Sequence, residues 1–160
     1  MALEVGQKAP DFTVPSVDGT NPPAPLTLSK ELGQGPIVLA FFPFAFTSVC
    51  TTEMCHFRDN LAQYNQLNAK VFGISVDSPA TLNKFAQEQK FNFKLLSDFN
   101  KEIIQKFGAM HENLGGLKGV AKRSVFVLDK NGTVKYRWVS EDPKQLPDFN
   151  AVKNAVESAK

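Results

Sequence analysis

Residues 37–50 read IVLAFFPFAFTSVC, a continuous apolar run that passes directly into a helix-forming segment. The first six residues are bounded by Pro36 and Pro43, as expected for a β-strand that is buried on both faces. Cys50 follows at the predicted start of a helix, and a second cysteine, Cys55, comes five residues later. This junction of strand and helix is therefore the first candidate for a functional site.

The rest of the chain alternates strand and helix patterns. Strands are predicted at residues 71–76, 95–97, 124–129 and 133–139, and further helices at residues 79–89, 101–107 and 149–158. Ser78 and Asp148 are predicted helix caps, and Asn131-Gly132 is predicted to close a β-hairpin. Residues 18–36, rich in proline and glycine, are predicted to form a loop. The alternation predicts one α/β domain over residues 1–160, with a central mixed β-sheet flanked by helices on both faces.

Composition excludes several classes of function. The chain has 160 residues, 42% of them hydrophobic, and a net charge of +2 with dispersed basic residues, so neither nucleic-acid nor membrane binding is expected. The N-terminal stretch Met1–Lys8 lacks a basic region followed by an apolar one, which predicts a cytoplasmic location. Two cysteines in a cytoplasmic chain are more often catalytic or metal-binding than a structural disulfide.

The predicted helix places Cys50 in an environment suited to redox chemistry. Unpaired backbone N–H groups and the positive end of the helix dipole favour a thiolate in the first turn. Apolar residues recur at helical spacing and put Cys50 on the face toward the protein body; they are Met54, Phe57, Leu61 and Tyr64. Cys55 lies about 140° around the axis and about 7.5 Å along it, so the two cysteines cannot form a disulfide while the helix is intact.

Three segments together resemble the peroxiredoxins, and the resemblance covers nearly the whole chain. Residues 43–50, PFAFTSVC, match the motif Pro-x-x-x-Thr/Ser-x-x-Cys of that family. Residues 7–12, QKAPDF, look like its usual opening, and residues 119–129, GVAKRSVFVLD, are similar to the segment that carries its active-site arginine. Cys55 looks like the resolving cysteine of the bacterioferritin-comigratory or PrxQ type, while residues 58–61 are also similar to the AhpE-like group.

The resemblance implies a thioredoxin-like fold and a thiol peroxidase that acts on hydrogen peroxide and organic hydroperoxides without metal or bound cofactor. Cys50 is then the nucleophile and forms a sulfenic acid, and Cys55 resolves it as an intramolecular disulfide. Arg123 supplies charge and N–H donors, Thr47 a hydroxyl, and Pro43 shields the sulfur. Thioredoxin or a glutaredoxin-like protein is the expected reductant, and the chain is expected to be a monomer or a homodimer.

Several residues have simpler interpretations. Buried cysteines are often inert, Thr47 could only cap the helix, and an arginine such as Arg123 is by default a surface ion-pair residue. Glu53 is favoured by the helix dipole and could also position Arg123 or Cys50. The remaining polar and aromatic candidates are His56 and His111, both expected in solvent, and Phe44 and Phe46, which could line a peroxide channel or a dimer contact.

Three other functions remain open. A thioredoxin-like disulfide oxidoreductase fits the fold, although its usual Cys-x-x-Cys motif is absent. A metal-binding module would have to use both cysteines and both histidines, whose spacing lacks the pairing typical of zinc sites. A one-cysteine peroxidase would rely on an external thiol in place of Cys55.

Overall fold

The computed structural model describes residues 3–160; Met1 and Ala2, which begin the N-terminal stretch discussed above, lie outside the described residues. In chain order the elements are β1 (Thr13–Val17), β2 (Ala24–Thr27), α1 (Leu28–Glu31), β3 (Ile37–Phe41), α2 (Ser48–Gln66), β4 (Lys70–Ser75), α3 (Pro79–Gln89), β5 (Lys94–Ser97), α4 (Glu102–Phe107), β6 (Met110–His111), β7 (Val120–Ala121), β8 (Ser124–Leu128), β9 (Val134–Val139) and α5 (Phe149–Ser158).

Seven strands form one mixed sheet in the order β2-β1-β5-β4-β3-β8-β9, and β6 pairs with β7 in a separate ribbon. The apolar run that begins at Ile37 becomes β3, whose five residues are all buried. It pairs parallel with β4 and antiparallel with β8. The predicted α/β class with a central mixed sheet is confirmed.

Helices cover both faces of the sheet because side chains of each strand alternate between two apolar clusters. One cluster joins Val38 and Ala40 of β3 to α2, α3 and α5. The other joins Ile37 and Leu39 of the same strand to α4 and the N-terminal region. The apolar face predicted for α2 is buried in the first cluster and includes Cys50.

Local signals predicted the helix ends and the hairpin correctly. Ser78 accepts a hydrogen bond from the Thr81 N–H at the start of α3, and Asp148 accepts one from the Ala151 N–H at the start of α5. The strands β8 and β9 pair antiparallel around the turn, where Gly132 has a φ of 87°. A left-handed φ of this kind is the conformation that favours glycine.

The loop predicted over residues 18–36 is wrong in part, because β2 and α1 lie within it. The strand β2 carries Pro25, which argues against a central strand, but β2 is at the edge of the sheet, where proline is tolerated. The strands β1, β6 and β7 were not predicted either; β6 and β7 have two residues each, too few to show a pattern.

Within residues 3–160, none of the helices is long and apolar enough to cross a membrane.

The contact between α2 and the sheet depends on a glycine in β4. A Cβ atom on Gly73 would lie 2.9 Å from Met54 Sδ of α2 and 2.7 Å from Leu95 Cδ2 of β5. Both distances are shorter than van der Waals contact allows. The absence of a side chain at Gly73 therefore lets the helix that carries Cys50 sit close against the sheet.

We expect Gly73→Ala to lower the free energy of unfolding by about 1–3 kcal/mol, because the added methyl group must displace Met54 or Leu95 in a close-packed core. Urea denaturation followed by Trp138 fluorescence measures the change. An unchanged unfolding midpoint and slope would show that α2 adjusts at no cost and that the close approach is not needed.

Candidate active site

Cys50 is the third residue of α2 and lies where the end of β3 meets the start of this helix. Its exposed fraction is 1%, and its side chain belongs to the apolar cluster beneath α2. The first N–H groups of a helix have no partner within the helix, so this end of α2 favours negative charge. The structure therefore places the sulfur in a dry position with a positive electrostatic environment.

The loop between β3 and α2 is held by the end of β4. The N–H of Ala45 donates to Asp77 Oδ2 at 2.8 Å, and Ser75 Oγ donates to the same oxygen at 2.7 Å. Phe46, next in the loop, has a φ of 64°, a strained value for a bulky residue. Sequence reasoning missed Asp77, whose Asp-Ser-Pro context indicated only the start of α3.

Arg123 lies between β7 and β8, with an exposed fraction of 1%, and its guanidinium contacts three groups. Its Nη2 donates to Cys50 Sγ at 3.0 Å, and its Nη1 donates to Glu53 Oε1 at 2.7 Å. Its Nε and Nη2 both donate to the backbone carbonyl of Pro143, at 3.0 and 2.9 Å. Arg123 is therefore not the surface ion-pair residue that composition alone would favour.

Glu53 comes one helical turn after Cys50 and has an exposed fraction of 0%. Burial raises the pKa of Glu53 to about 7, although the charge and hydrogen bond of Arg123 act in the opposite direction. Its second oxygen, Oε2, is buried and has no hydrogen-bond partner among residues 3–160. The structure thus places Glu53 beside Arg123. This agrees with the first of the two roles considered for Glu53, that of positioning Arg123.

Thr47 precedes α2 but does not cap it with its side chain. Its Oγ1 donates to the Phe44 carbonyl at 2.8 Å, and no capping hydrogen bond is formed by this hydroxyl. Thr47 nevertheless lines the cleft at Cys50, so its hydroxyl oxygen is available to a molecule bound there. The cleft has a volume of about 210 Å³ and is lined by Pro43, Phe44, Thr47, Ser48, Val49, Cys50, Leu114, Arg123, Pro143 and Lys144.

The structure brings together four of the five site residues predicted from the sequence, and Cys55 is the exception. Cys55 is half-buried, lies outside the cleft, and donates from Sγ to Gln89 Oε1 at 3.6 Å. Burial raises its pKa, opposed by the charge of Arg58. Both cysteines are free thiols, and α2 is continuous through both of them.

The two histidines are less exposed than expected. His56 stacks on Phe149 of α5 with ring centroids 3.6 Å apart, and His111 of β6 is buried with an exposed fraction of 7%. The prediction that His111 is in solvent is wrong, because the β6–β7 ribbon was not visible in the sequence. Among residues 3–160, no group of three or more potential ligands is placed to hold a metal ion.

Pro143 is a site residue that no sequence pattern indicates. It contributes a backbone carbonyl, a group that every residue carries, from the segment between β9 and α5.

The two phenylalanines considered for lining a peroxide channel differ in position. Phe44 lines the cleft, whereas Phe46 is half exposed and packs near Phe85 with ring centroids 5.1 Å apart.

The arrangement is suited to nucleophilic attack by sulfur on a bond whose cleavage leaves negative charge. A guanidinium N–H adjoins the sulfur, and the guanidinium is held in place by its bonds to Glu53 and to the Pro143 carbonyl. Such donors need no reorganisation as charge develops in the transition state. Pro43 lines the cleft beside the sulfur and, because it has no backbone N–H, adds no competing donor there.

Comparison with known proteins gives consistent matches. A model of the AhpC/TSA family matches residues 5–137. A Mycobacterium tuberculosis H37Rv protein named as a candidate peroxiredoxin is 39% identical over 132 residues, which cover 82% of each chain. The chloroplastic peroxiredoxin Q of rice, Oryza sativa subsp. japonica, is 37% identical over 131 residues, 82% of this chain and 57% of the rice protein. The crystal structure of the M. tuberculosis peroxidoxin BcpB superposes with a TM-score of 0.85 at 31% identity, covering 99% of both chains.

Proposed function

The chain belongs to the AhpC/TSA family and is a peroxiredoxin, a thiol peroxidase, and from this premise we propose that Cys50 reduces hydrogen peroxide and organic hydroperoxides. The matches to BcpB and to peroxiredoxin Q agree with the bacterioferritin-comigratory or PrxQ type, one of the two groups that the sequence resembles. The observation that carries the proposal is the contact of 3.0 Å between Arg123 Nη2 and Cys50 Sγ inside the cleft.

In the proposed reaction the Cys50 thiolate attacks the terminal oxygen of the peroxide. A sulfur–oxygen bond forms as the oxygen–oxygen bond breaks, and the leaving oxygen takes up a proton to give water or an alcohol. The sulfur ends as a sulfenic acid, oxidised by two electrons, while the peroxide is reduced by two. Negative charge moves from sulfur to the leaving oxygen during this step, and the Arg123 guanidinium is close enough to stabilise it.

Ionisation of the thiol explains only part of the expected rate. A cysteine with the reference pKa of about 8.5 is roughly 3% thiolate at pH 7, so full ionisation gains at most about thirtyfold. Any larger gain has to come from stabilisation of the transition state. The bonds from Arg123 to Glu53 and to the Pro143 carbonyl support that role, because they fix the donor before the peroxide binds.

The second half of the proposed cycle involves Cys55. Its thiol would attack the Cys50 sulfenic acid, releasing water and forming a disulfide, which thioredoxin or a similar dithiol donor would then reduce. The two cysteines are five positions apart, which on an intact helix is about 7.5 Å along the axis and too far for a disulfide. We therefore propose that the first turns of α2 unwind, which requires loss of the contacts of Cys55 and Arg58 with Gln89.

The cleft supports small peroxides as substrates. Its volume of about 210 Å³ and its walls of Pro43, Phe44 and Leu114 suit an alkyl hydroperoxide as well as hydrogen peroxide. A cytoplasmic location, a single domain over residues 1–160, and a monomer or homodimer stay predictions from the sequence.

We expect Cys50→Ser to abolish peroxide consumption while the fold is retained, because a hydroxyl is far less ionised and less nucleophilic than a thiol. Peroxide consumption and intact mass after one equivalent of peroxide measure the effect. The wild-type chain should lose the mass of two hydrogens if the disulfide forms, or gain one oxygen if the sulfenic acid persists. Turnover by the serine variant would exclude Cys50 as the nucleophile.

We expect Arg123→Met to lower the second-order rate constant with peroxide by more than about thirtyfold, the most that ionisation alone explains. Stopped-flow kinetics over a range of pH values separates the two contributions. Arg137→Met is a matched control, because Arg137 pairs with Phe126 on the face of the sheet away from α2. A loss that vanishes once Cys50 is fully ionised at high pH would contradict the role in the transition state.

We expect the backbone amides of residues 49–57 to exchange faster with solvent in the oxidised protein than in the reduced one, because disulfide formation unwinds α2. Those of β3 and β8 should stay protected, and hydrogen exchange with mass spectrometry measures both. Cys55→Ser should reduce one equivalent of peroxide and then accumulate sulfenic acid. Equal protection of α2 in both states, or normal recycling of Cys55→Ser by thioredoxin, would favour a one-cysteine cycle with an external thiol.

A further inference from the structure

Three ionisable groups share one dry site at the start of α2. Cys50, Glu53 and Arg123 have exposed fractions of 1%, 0% and 1%, and the guanidinium lies between the other two, 3.0 Å from the sulfur and 2.7 Å from Glu53 Oε1. Arg123 carries one positive charge. A Cys50 thiolate together with a Glu53 carboxylate would carry two negative charges.

The surroundings of Glu53 offer no second cation to balance that charge. Among residues 3–160, Arg123 is the one charged group that acts on its carboxyl. Lys144 is exposed at the rim of the cleft, and Lys122, next to Arg123 in sequence, bonds to Glu141 at 2.6 Å instead. A buried unbalanced charge is expensive, and a carboxyl group in such a site takes up a proton to avoid it.

We propose that Glu53 holds the proton that Cys50 gives up, so that the resting enzyme contains a thiolate, a guanidinium and a neutral carboxylic acid. Glu53 Oε1 accepts the hydrogen bond of Arg123, and the proton resides on Oε2, which is buried and without a hydrogen-bond partner in the described part of the chain. A neutral hydroxyl is less costly to bury there than the oxygen of a carboxylate.

The direction of the Glu53 pKa agrees with this assignment. Burial raises it to about 7, so the acid form is populated at neutral pH even beside Arg123.

The proposal rests on the proposed peroxidase function and balances its first step. The thiolate forms a bond to the terminal peroxide oxygen, the oxygen–oxygen bond breaks, and the leaving oxygen gains one proton. The sulfur is then a neutral sulfenic acid, so Arg123 no longer has an anion there, and Glu53 releases its proton and becomes the anion that pairs with the guanidinium. One proton is lost by Glu53 and one is gained by the leaving oxygen, with no net uptake from solvent.

Glu53 is thus a positioning residue for Arg123 and a reservoir for the thiol proton. A purely structural anchor would also hold Arg123, but it would stay ionised in the resting state. Glu53→Gln separates the two roles, because the amide is neutral, retains an oxygen that accepts from Arg123, and is close in size to the protonated acid. Glu53→Met removes the acceptor with little change in volume.

The first test is titration of the thiolate by its ultraviolet absorbance in a Cys55→Ser background, where Cys50 is the remaining thiol. We expect Glu53→Gln to form the thiolate over the same pH range as the parent. Glu53→Met should react with peroxide about tenfold or more slowly, because Arg123 loses a charge-assisted hydrogen bond. Thiolate formation at clearly lower pH in Glu53→Gln would mean that the parent carboxyl is ionised, and would overturn the proposal.

The second test uses the wild-type protein, so it does not depend on whether a Glu53 variant folds. The infrared spectrum of the reduced wild-type protein at neutral pH should contain the C=O band of a protonated carboxyl. The difference spectrum before and after alkylation of Cys50 should show that this band is lost. A thioether carries no charge, so Arg123 is then free to pair with an ionised Glu53. A band that is absent before alkylation, or unchanged after it, overturns the assignment. Failure to consume peroxide would refute the peroxidase proposal separately, since neither the titration nor the spectra require turnover.

Discussion

The active site depends on a single buried guanidinium that has to satisfy three acceptors at once. Arg123 reaches Cys50, Glu53 and the Pro143 carbonyl from one rigid planar group. Lysine presents a point charge and could not bridge these positions. Two of the acceptors belong to α2 and the third lies in the segment after β9. Arg123 therefore links the helix that carries Cys50 to the segment between β9 and α5.

The helix that carries Cys50 has two opposing requirements. It packs closely against β4 at Gly73, which fixes the sulfur beside Arg123, yet the proposed disulfide needs its first turns to unwind. Unwinding near Cys55 breaks a weak bond from its sulfur and the Arg58 bond to the Gln89 carbonyl, and it also displaces the stack of His56 on Phe149. Local opening at a helix end costs less than global unfolding, so both requirements can be met.

Most of the architecture could be predicted because its signals are local. The buried strands, the caps Ser78 and Asp148 and the hairpin at Gly132 follow from short patterns, and all are present in the structure. The proline-rich β2 and the ribbon of β6 and β7 could not be predicted in this way. An edge strand with Pro25 and two-residue strands are defined by their partners across the sheet, and no pattern within them records those partners.

The sequence by itself determined the place of Cys50 at the start of a helix after a buried strand, its inward face, and its separation from Cys55, since all three follow from helical periodicity within one segment. Motif resemblance added Arg123 as the residue that stabilises the Cys50 thiolate, and the sequence left open whether Glu53 positions Arg123 or Cys50. Only the tertiary structure decided that Glu53 and Arg123 meet in a dry site, that the Pro143 carbonyl anchors the guanidinium, and that His111 is buried. These depend on contacts between segments up to 70 residues apart along the chain, which local patterns do not encode.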